Sequence, residues 1–98
     1  MTTYLILFTF TQKGEESIAT LPSRVENAKE IISKLGGEFV TFYGILGSQY
    51  DTMCIVKAAN DEKIAAIAMA IARLGNVRAE THPLFTEDDL KRIAAIAA

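Results

Sequence analysis

The sequence contains little that would cross-link the chain or direct it to nucleic acid or membrane. Cys54 is the only cysteine among 98 residues, so neither an intrachain disulfide nor a cysteine-based zinc cluster can form. The ten Lys and Arg residues are scattered and the formal net charge is -2, whereas proteins that bind phosphate backbones usually carry a basic face. No signal-peptide pattern begins the sequence, and no apolar run approaches the about 20 residues that span a bilayer. We therefore expect a cytoplasmic protein without nucleic-acid or membrane partners.

Motifs for cofactors and metals are also missing. The sequence has no Gly-x-Ser-x-Gly nucleophile elbow and no glycine-rich phosphate loop. Gly36-Gly37 is placed to end a helix, which is the wrong geometry for phosphate binding at a helix N-terminus. His82 is the only histidine, and a single histidine is weak evidence for a metal site. We expect no cofactor and no metal.

Length and composition favour one domain over residues 1–98. Half of the residues are hydrophobic, which is enough to build a core at this size. No linker, low-complexity tract or block of charge divides the sequence. Four strand-like stretches, rich in β-branched and aromatic residues, alternate with helix-like stretches. The predicted strands are residues 4–11, 38–46, 50–58 and 76–85.

The predicted helices carry apolar residues at helical spacing and recognisable start signals. The first main helix starts at Pro22, after a short helical turn within residues 15–21, and the second is capped by Asn60 or Asp61. Thr86 followed by Asp89 resembles a capping box that begins a short terminal helix. The predicted buried side of this terminal helix is Leu90, Ile93, Ala94 and Ala97.

The order β-α-β-β-α-β with right-handed crossovers predicts a ferredoxin-like α+β fold, with a four-stranded antiparallel sheet and helices on one face. Two helices cover only one face of such a sheet, yet the strands carry more apolar residues than one face needs. A large open apolar patch usually marks an interaction surface. The predicted cover is a second copy of the chain, packed sheet to sheet as a homodimer or within a higher oligomer. The apolar strand residues are Tyr4, Ile6, Phe8, Phe10, Phe39, Tyr43, Ile45, Met53 and Ile55.

A polar connection at residues 46–52 joins the second and third strands and is predicted to be a tight hairpin. Gly47 can take a positive φ, and Ser48 can hydrogen-bond to the local backbone. This connection and the sequence after it resemble the GYD-domain family, which is named for a glycine-tyrosine-aspartate turn. The segments that carry the resemblance are Tyr50-Asp51, Ile55-Val56, Asn60-Asp61-Glu62, Leu74-Gly75-Asn76-Val77-Arg78 and Glu80-Thr81.

The resemblance extends over nearly the whole chain and implies a small dimeric α+β barrel. It implies no substrate, because the family is largely uncharacterised in function. The sequence departs from the family at the name motif itself. Either the segment Gly47-Ser48-Gln49-Tyr50-Asp51 carries an extra residue, or Ser48 stands where the glycine is expected.

Four residues are candidates for ligand binding: Tyr43, Tyr50, Asp51 and His82. Tyr50 and Asp51 could hold a ligand or act as an acid–base pair. Alternatively, Asp51 accepts backbone N–H bonds as a turn residue while Tyr50 packs over the end of the sheet. His82 shares one face of the last strand with Glu80 and could act as a base, or it could be an exposed residue at a strand end. Cys54, in mid-strand, is more typical of a small buried hydrophobe than of a nucleophile.

These patterns leave several functions open. The first hypothesis is a dimeric ligand-binding or accessory module without catalytic activity. The second is a cofactor-independent small enzyme, monooxygenase-like or lyase-like, that holds an apolar substrate between sheet and helices, by analogy of fold alone. The enzyme hypothesis requires the four candidate residues to converge on one pocket. A third is a regulatory ligand sensor, against which stands the lack of a DNA-binding element.

Overall fold

The computed structural model describes all residues, Met1–Ala98, and has the predicted order of strands and main helices. A short helix and a single 3₁₀ turn, Ile18–Thr20, precede the first main helix. The strands are β1 (Thr2–Phe10), β2 (Glu38–Gly44), β3 (Thr52–Ala58) and β4 (Val77–Leu84). The helices are α1 (Gln12–Glu16), α2 (Leu21–Lys34), α3 (Asp61–Ala72) and α4 (Glu87–Ala97).

The four strands form one antiparallel sheet in the order β2-β3-β1-β4, which confirms the ferredoxin-like prediction. β1 and β3 are the two central strands and pair with each other from Thr2↔Ala58 to Phe8↔Thr52. A register shift between Phe39 and Thr41 leaves Val40 without a partner in the β2–β3 ladder. This β-bulge keeps Phe39 and Phe42 packed against the core, although an odd number of steps separates them.

The core lies between one face of the sheet and the helices α2 and α3. On β1, Tyr4, Ile6 and Phe8 are at most 3 % exposed, and they alternate with half-buried neighbours. Burial alternates in the same way along β3, where Cys54 and Val56 are buried and their neighbours are half-buried. The helices contribute the buried side chains Ile32, Ile64, Ile67 and Ile71.

Local start and stop signals account for the helix boundaries. The Asn60 side chain accepts a hydrogen bond from the Lys63 amide at 3.0 Å, so the predicted cap of α3 is confirmed. Thr86 and Asp89 form the predicted capping box at the start of α4. Gly36, with φ of 85°, follows the end of α2 in the left-handed conformation that glycine adopts without strain.

The connection between β2 and β3 is longer than the predicted tight turn. β2 ends at Gly44 and β3 begins at Thr52, so residues 45–51 form a loop. The Ile45 amide still donates to the Asp51 carbonyl at 2.8 Å, but the Asp51 amide donates instead to Phe8 O on β1. The ladder between β2 and β3 therefore stops earlier than the apolar pattern predicts.

The predicted burial of α4 is wrong for a single chain. No residue of α4 is buried, and Leu90 and Ile93 are 52 % and 37 % exposed. Ala94 and Ala97, the other two residues of the predicted buried side, are also exposed. The helix-facing side of the sheet is already covered by α2 and α3, so α4 has no core to cover within its own chain.

The opposite side of the sheet, here called the open face, has no helix over it. Antiparallel partners share a face, so three rows cross it: Tyr43–Met53–Leu7–Glu80, Thr41–Ile55–Leu5–His82 and Glu38–Lys57–Thr3–Leu84. Among the nine apolar strand residues singled out in the sequence, Tyr43, Met53 and Ile55 lie on this face. Leu5 and Leu7 also lie on it, although they were not among the nine.

Candidate functional site

Asp51 ties the loop between β2 and β3 to β1 at one end of the sheet. Its side-chain Oδ2 accepts a hydrogen bond from the Phe10 amide of β1 at 2.8 Å. Its amide donates to Phe8 O at 2.8 Å, and its carbonyl accepts from the Ile45 amide at 2.8 Å. The carboxylate thus binds backbone N–H, as the structural alternative predicts, but on β1 rather than within the turn.

Contacts within the loop before β3 hold the backbone of Tyr50 in place. Gly47 has a φ of 77°, and the Ser48 hydroxyl accepts a hydrogen bond from the Tyr50 amide at 3.1 Å. Both roles agree with those predicted for these two residues. The loop therefore presents the Tyr50 side chain in a fixed direction, towards β4.

The Tyr50 hydroxyl donates to Glu80 Oε2 at 2.7 Å, and the same oxygen lies 2.8 Å from His82 Nε2. We call these three side chains the Tyr50–Glu80–His82 cluster. Glu80 and His82 are two positions apart on β4 and therefore share the open face. The hydrogen bond to Glu80 is the main cause that raises the pKa of Tyr50. The hydrogen bonds from His82 and then from Tyr50 lower the pKa of Glu80.

Glu80 is the member of this cluster that was not among the predicted site residues. Its position beside His82 on one strand face could be predicted from the alternation of β4. Its contact with Tyr50 could not, because the two residues are 30 positions apart and meet only through the loop before β3.

Tyr43 is 62 % exposed on the open face and lies apart from the cluster. Tyr43 on β2 and Glu80 on β4 are the two ends of one row across the sheet, and Met53 and Leu7 lie between them. Three strand spacings correspond to about 14 Å. The structure thus brings Tyr50 and His82 together, through Glu80, and leaves Tyr43 and Asp51 at other positions.

An apolar cleft lies on the other side of the sheet, beneath α2. The space in it that is open to the centre of a water-sized sphere is about 40 Å³, and nine of its twelve lining residues are hydrophobic. Phe8, Phe10 and Phe42 line it from the sheet, and Leu21 and Val25 from α2. None of the four predicted ligand-binding residues lines this cleft.

Cys54 is almost completely buried in the core, 1 % exposed, and is not disulfide-bonded. Burial raises the pKa of its thiol to about 12, so the thiolate needed for nucleophilic attack is scarcely populated. No three His, Cys, Asp or Glu side chains are grouped so that they could hold a metal ion. None of the helices is both long and apolar enough to cross a bilayer.

The strand order and helix placement put the chain among small ferredoxin-like α+β proteins. Comparison with known families matches the GYD domain over residues 4–94. The chain therefore belongs to the GYD domain family, as the resemblance at Tyr50-Asp51 and the following segments predicted.

One characterised relative is the glutamine synthetase and cystathionine beta-lyase binding protein of Thermus thermophilus. It is 28 % identical over 82 residues, which cover 83 % of this chain and 85 % of the relative. A solved structure of a protein from Thermus thermophilus is 24 % identical, with a TM-score of 0.56 and coverage of 88 % of this chain and 95 % of that one.

A feast or famine regulatory protein from M. tuberculosis, solved with L-methionine, has a TM-score of 0.58 at 14 % identity. The match covers 88 % of this chain and 51 % of that protein. At this level of identity the likeness to both solved structures concerns the fold alone.

Proposed function

We propose that this protein is a non-catalytic accessory module of the cytoplasm that forms a homodimer through the open face and binds another protein. The observation that carries the proposal is the apolar centre of that face. Leu5, Leu7, Met53 and Ile55 lie side by side on the two central strands, where a solvated antiparallel sheet would present polar side chains.

A two-fold axis through the centre of the open face would place these four side chains against their copies. Polar groups then fall at the edges: the Tyr50–Glu80–His82 cluster at β4, and the exposed Tyr43 at β2. This arrangement of an apolar centre and a polar rim is typical of protein interfaces. Self-complementarity of one patch is what a two-fold dimer requires.

The size of the interface favours a contribution from α4. A stable interface takes about 800 Å² of accessible surface from each partner, and the open face has only four strands of seven to nine residues to provide it. Helix α4 follows β4 directly and exposes Leu90, Ile93 and Ile96. In the proposed dimer these side chains pack against the second copy, which buries the side of α4 that is exposed in a single chain.

The binding role is supported by the Thermus thermophilus relative, whose name records binding to glutamine synthetase and cystathionine beta-lyase. By that likeness we infer that the partner of this dimer is an enzyme. The surfaces still available after sheet-to-sheet packing, on α2 and α3, are the proposed contact region for that partner.

A cofactor-independent enzyme, monooxygenase-like or lyase-like, is the alternative, and one observation favours it. The Tyr50–Glu80–His82 cluster is a hydrogen-bonded chain of groups that can exchange protons. The sheet, however, separates this cluster from the apolar cleft that would hold a substrate. For this reason the binding role is preferred.

The oligomeric state tests the proposal. We expect light scattering to give a mass twice the 10.7 kDa of the chain at micromolar concentration. Leu7→Glu places a carboxylate at the centre of the open face and should yield a folded monomer. Met69→Glu is the matched control, because Met69 is 71 % exposed on α3, away from the open face, and this variant should remain dimeric. A monomeric wild type, or a Leu7→Glu dimer as stable as the wild type, would contradict the proposal.

A further inference from the structure

The apolar cleft carries a positive charge that is held in place at its wall. Arg24 of α2 lines the cleft, and its Nη1 donates to Gly14 O at 3.0 Å, Ser17 O at 3.2 Å and Ser17 Oγ at 3.1 Å. The guanidinium also lies over the Phe10 ring, with 5.6 Å between Cζ and the ring centroid. These contacts fix the guanidinium on the short segment before α2.

No carboxylate compensates this charge. Arg24 takes part in none of the four ion pairs of the protein, and its hydrogen-bond acceptors are carbonyl and hydroxyl oxygens. Its Nη2 is buried and makes no hydrogen bond, which leaves donors of a charged group without a partner. Such a group costs free energy unless an acceptor, preferably an anionic one, comes to it.

We propose that the cleft is a binding site for a small amphipathic anion, with an apolar chain or ring between sheet and helices and a carboxylate beside the Arg24 guanidinium. The apolar part contacts Phe8, Phe10 and Phe42, which line the sheet side. The carboxylate supplies the negative charge that none of the protein's ion pairs places beside Arg24, in a charge-assisted hydrogen bond. This site is independent of the proposed dimer, because the cleft and the open face are on opposite sides of the sheet.

Titration with hexanoate and with the neutral 1-hexanol, followed by calorimetry and by NMR of the full chain, tests the site. We expect hexanoate to bind at least about tenfold more tightly than 1-hexanol, since a hydrogen bond between charged groups is roughly twice as strong as a neutral one. Shifted NMR signals should belong to Phe10, Phe42 and Val25, and those of Tyr43 on the open face should stay unchanged.

Three variants distinguish the contribution of the Arg24 charge from that of the cleft volume. Arg24→Gln removes the guanidinium and should abolish the preference for hexanoate, while Lys34→Gln removes a positive charge from the exposed end of the same helix and should preserve it. Ala28→Leu narrows the cleft and retains Arg24, so it should weaken both ligands and provides a test even where Arg24→Gln unfolds the chain.

Equal binding of the two ligands, unchanged hexanoate affinity in both Arg24→Gln and Ala28→Leu, or no saturable binding up to ~10 mM would overturn the site. Light scattering on the same samples gives the oligomeric state, so failure of the anion site and failure of the proposed dimer can be told apart. A monomer that binds hexanoate through Arg24 would support the site and contradict the proposed dimer.

Discussion

The two faces of the sheet differ in burial although they resemble each other in composition on the central strands. On β1, Ile6 is fully buried beneath the helices, and its neighbours Leu5 and Leu7 on the open face are only half-buried. On β4 the faces differ in composition as well, with Val77 and Ala79 towards the helices and Arg78, Glu80 and His82 on the other side, before Leu84 at the end of the strand. The apolar residues of the open face are therefore concentrated on its two central strands, which is the pattern of an interface rather than of a second core.

The largest expected effect comes from truncation beneath the helices. Ile6→Ala removes a side chain with no exposed surface and should lower the free energy of unfolding by about 2–5 kcal/mol, through lost burial and an incompletely closed cavity. Leu5→Ala is the matched variant on the open face of the same strand. Its cost should be smaller and should depend on protein concentration, because it weakens association.

Urea unfolding of both variants at several protein concentrations makes this comparison. The expected result is a concentration-dependent midpoint shift for Leu5→Ala and a loss for Ile6→Ala that remains large at every concentration. Equal, concentration-independent losses would mean that the open face is stabilised within one chain, and the proposed interface would be wrong.

An intermediate effect is expected at the end of the sheet where Asp51 holds β1. Asp51→Ala removes the acceptor of the Phe10 amide and should lower the free energy of unfolding by about 1–3 kcal/mol. Asp51→Asn keeps a carbonyl oxygen at that position and should cost less. Gln49→Ala, at an exposed position of the same loop, is the control and should have little effect. If thermal unfolding places Asp51→Ala level with Gln49→Ala, the structural role of this carboxylate is refuted.

The comparison of faces also explains which features could be predicted from sequence. The fold follows from local signals that agree with each other, such as the Asn60 cap, the capping box at Thr86 and the β-branched and aromatic content of the strands. The end of β2 could not be predicted, because the amide of Asp51 pairs with β1, a strand 43 positions earlier at Phe8. The exposure of α4 was missed because its apolar side is typical of a buried helix, and only the packing of α2 and α3 excludes it from the core.

The candidate site was also predictable only where it depends on local sequence. Glu80 and His82 share a face by the two-residue period of a strand, which the sequence contains. The meeting of Tyr50 with Glu80 depends on the strand order β2-β3-β1-β4 and on the direction of the loop, and neither is a local property. The unpartnered Nη2 of Arg24 is likewise visible only when α2 is packed over Phe10.

The smallest expected effect is the pH dependence of the Tyr50–Glu80–His82 cluster. The folded protein lowers the pKa of Glu80 below its usual value of 4.5, because the ionised form accepts hydrogen bonds from His82 and Tyr50. Its contribution to stability is therefore present above pH 4.5 and is lost as the pH falls through the lower pKa of the folded state. Glu80→Gln should accordingly melt below the wild type at neutral pH, and the difference should shrink on acidification.

The decisive feature of this measurement is its slope with pH and not its size, because Glu80 is half exposed and solvent screens its interactions. Glu30→Gln removes a negative charge from an exposed position of α2 and should give a difference from wild type that does not follow the titration of Glu80. A Glu80→Gln difference that stays constant from neutral to acid pH would mean that the carboxylate does not hold the cluster together. A difference that shrinks as expected, and grows with protein concentration at neutral pH, would place the cluster at the rim of the dimer interface.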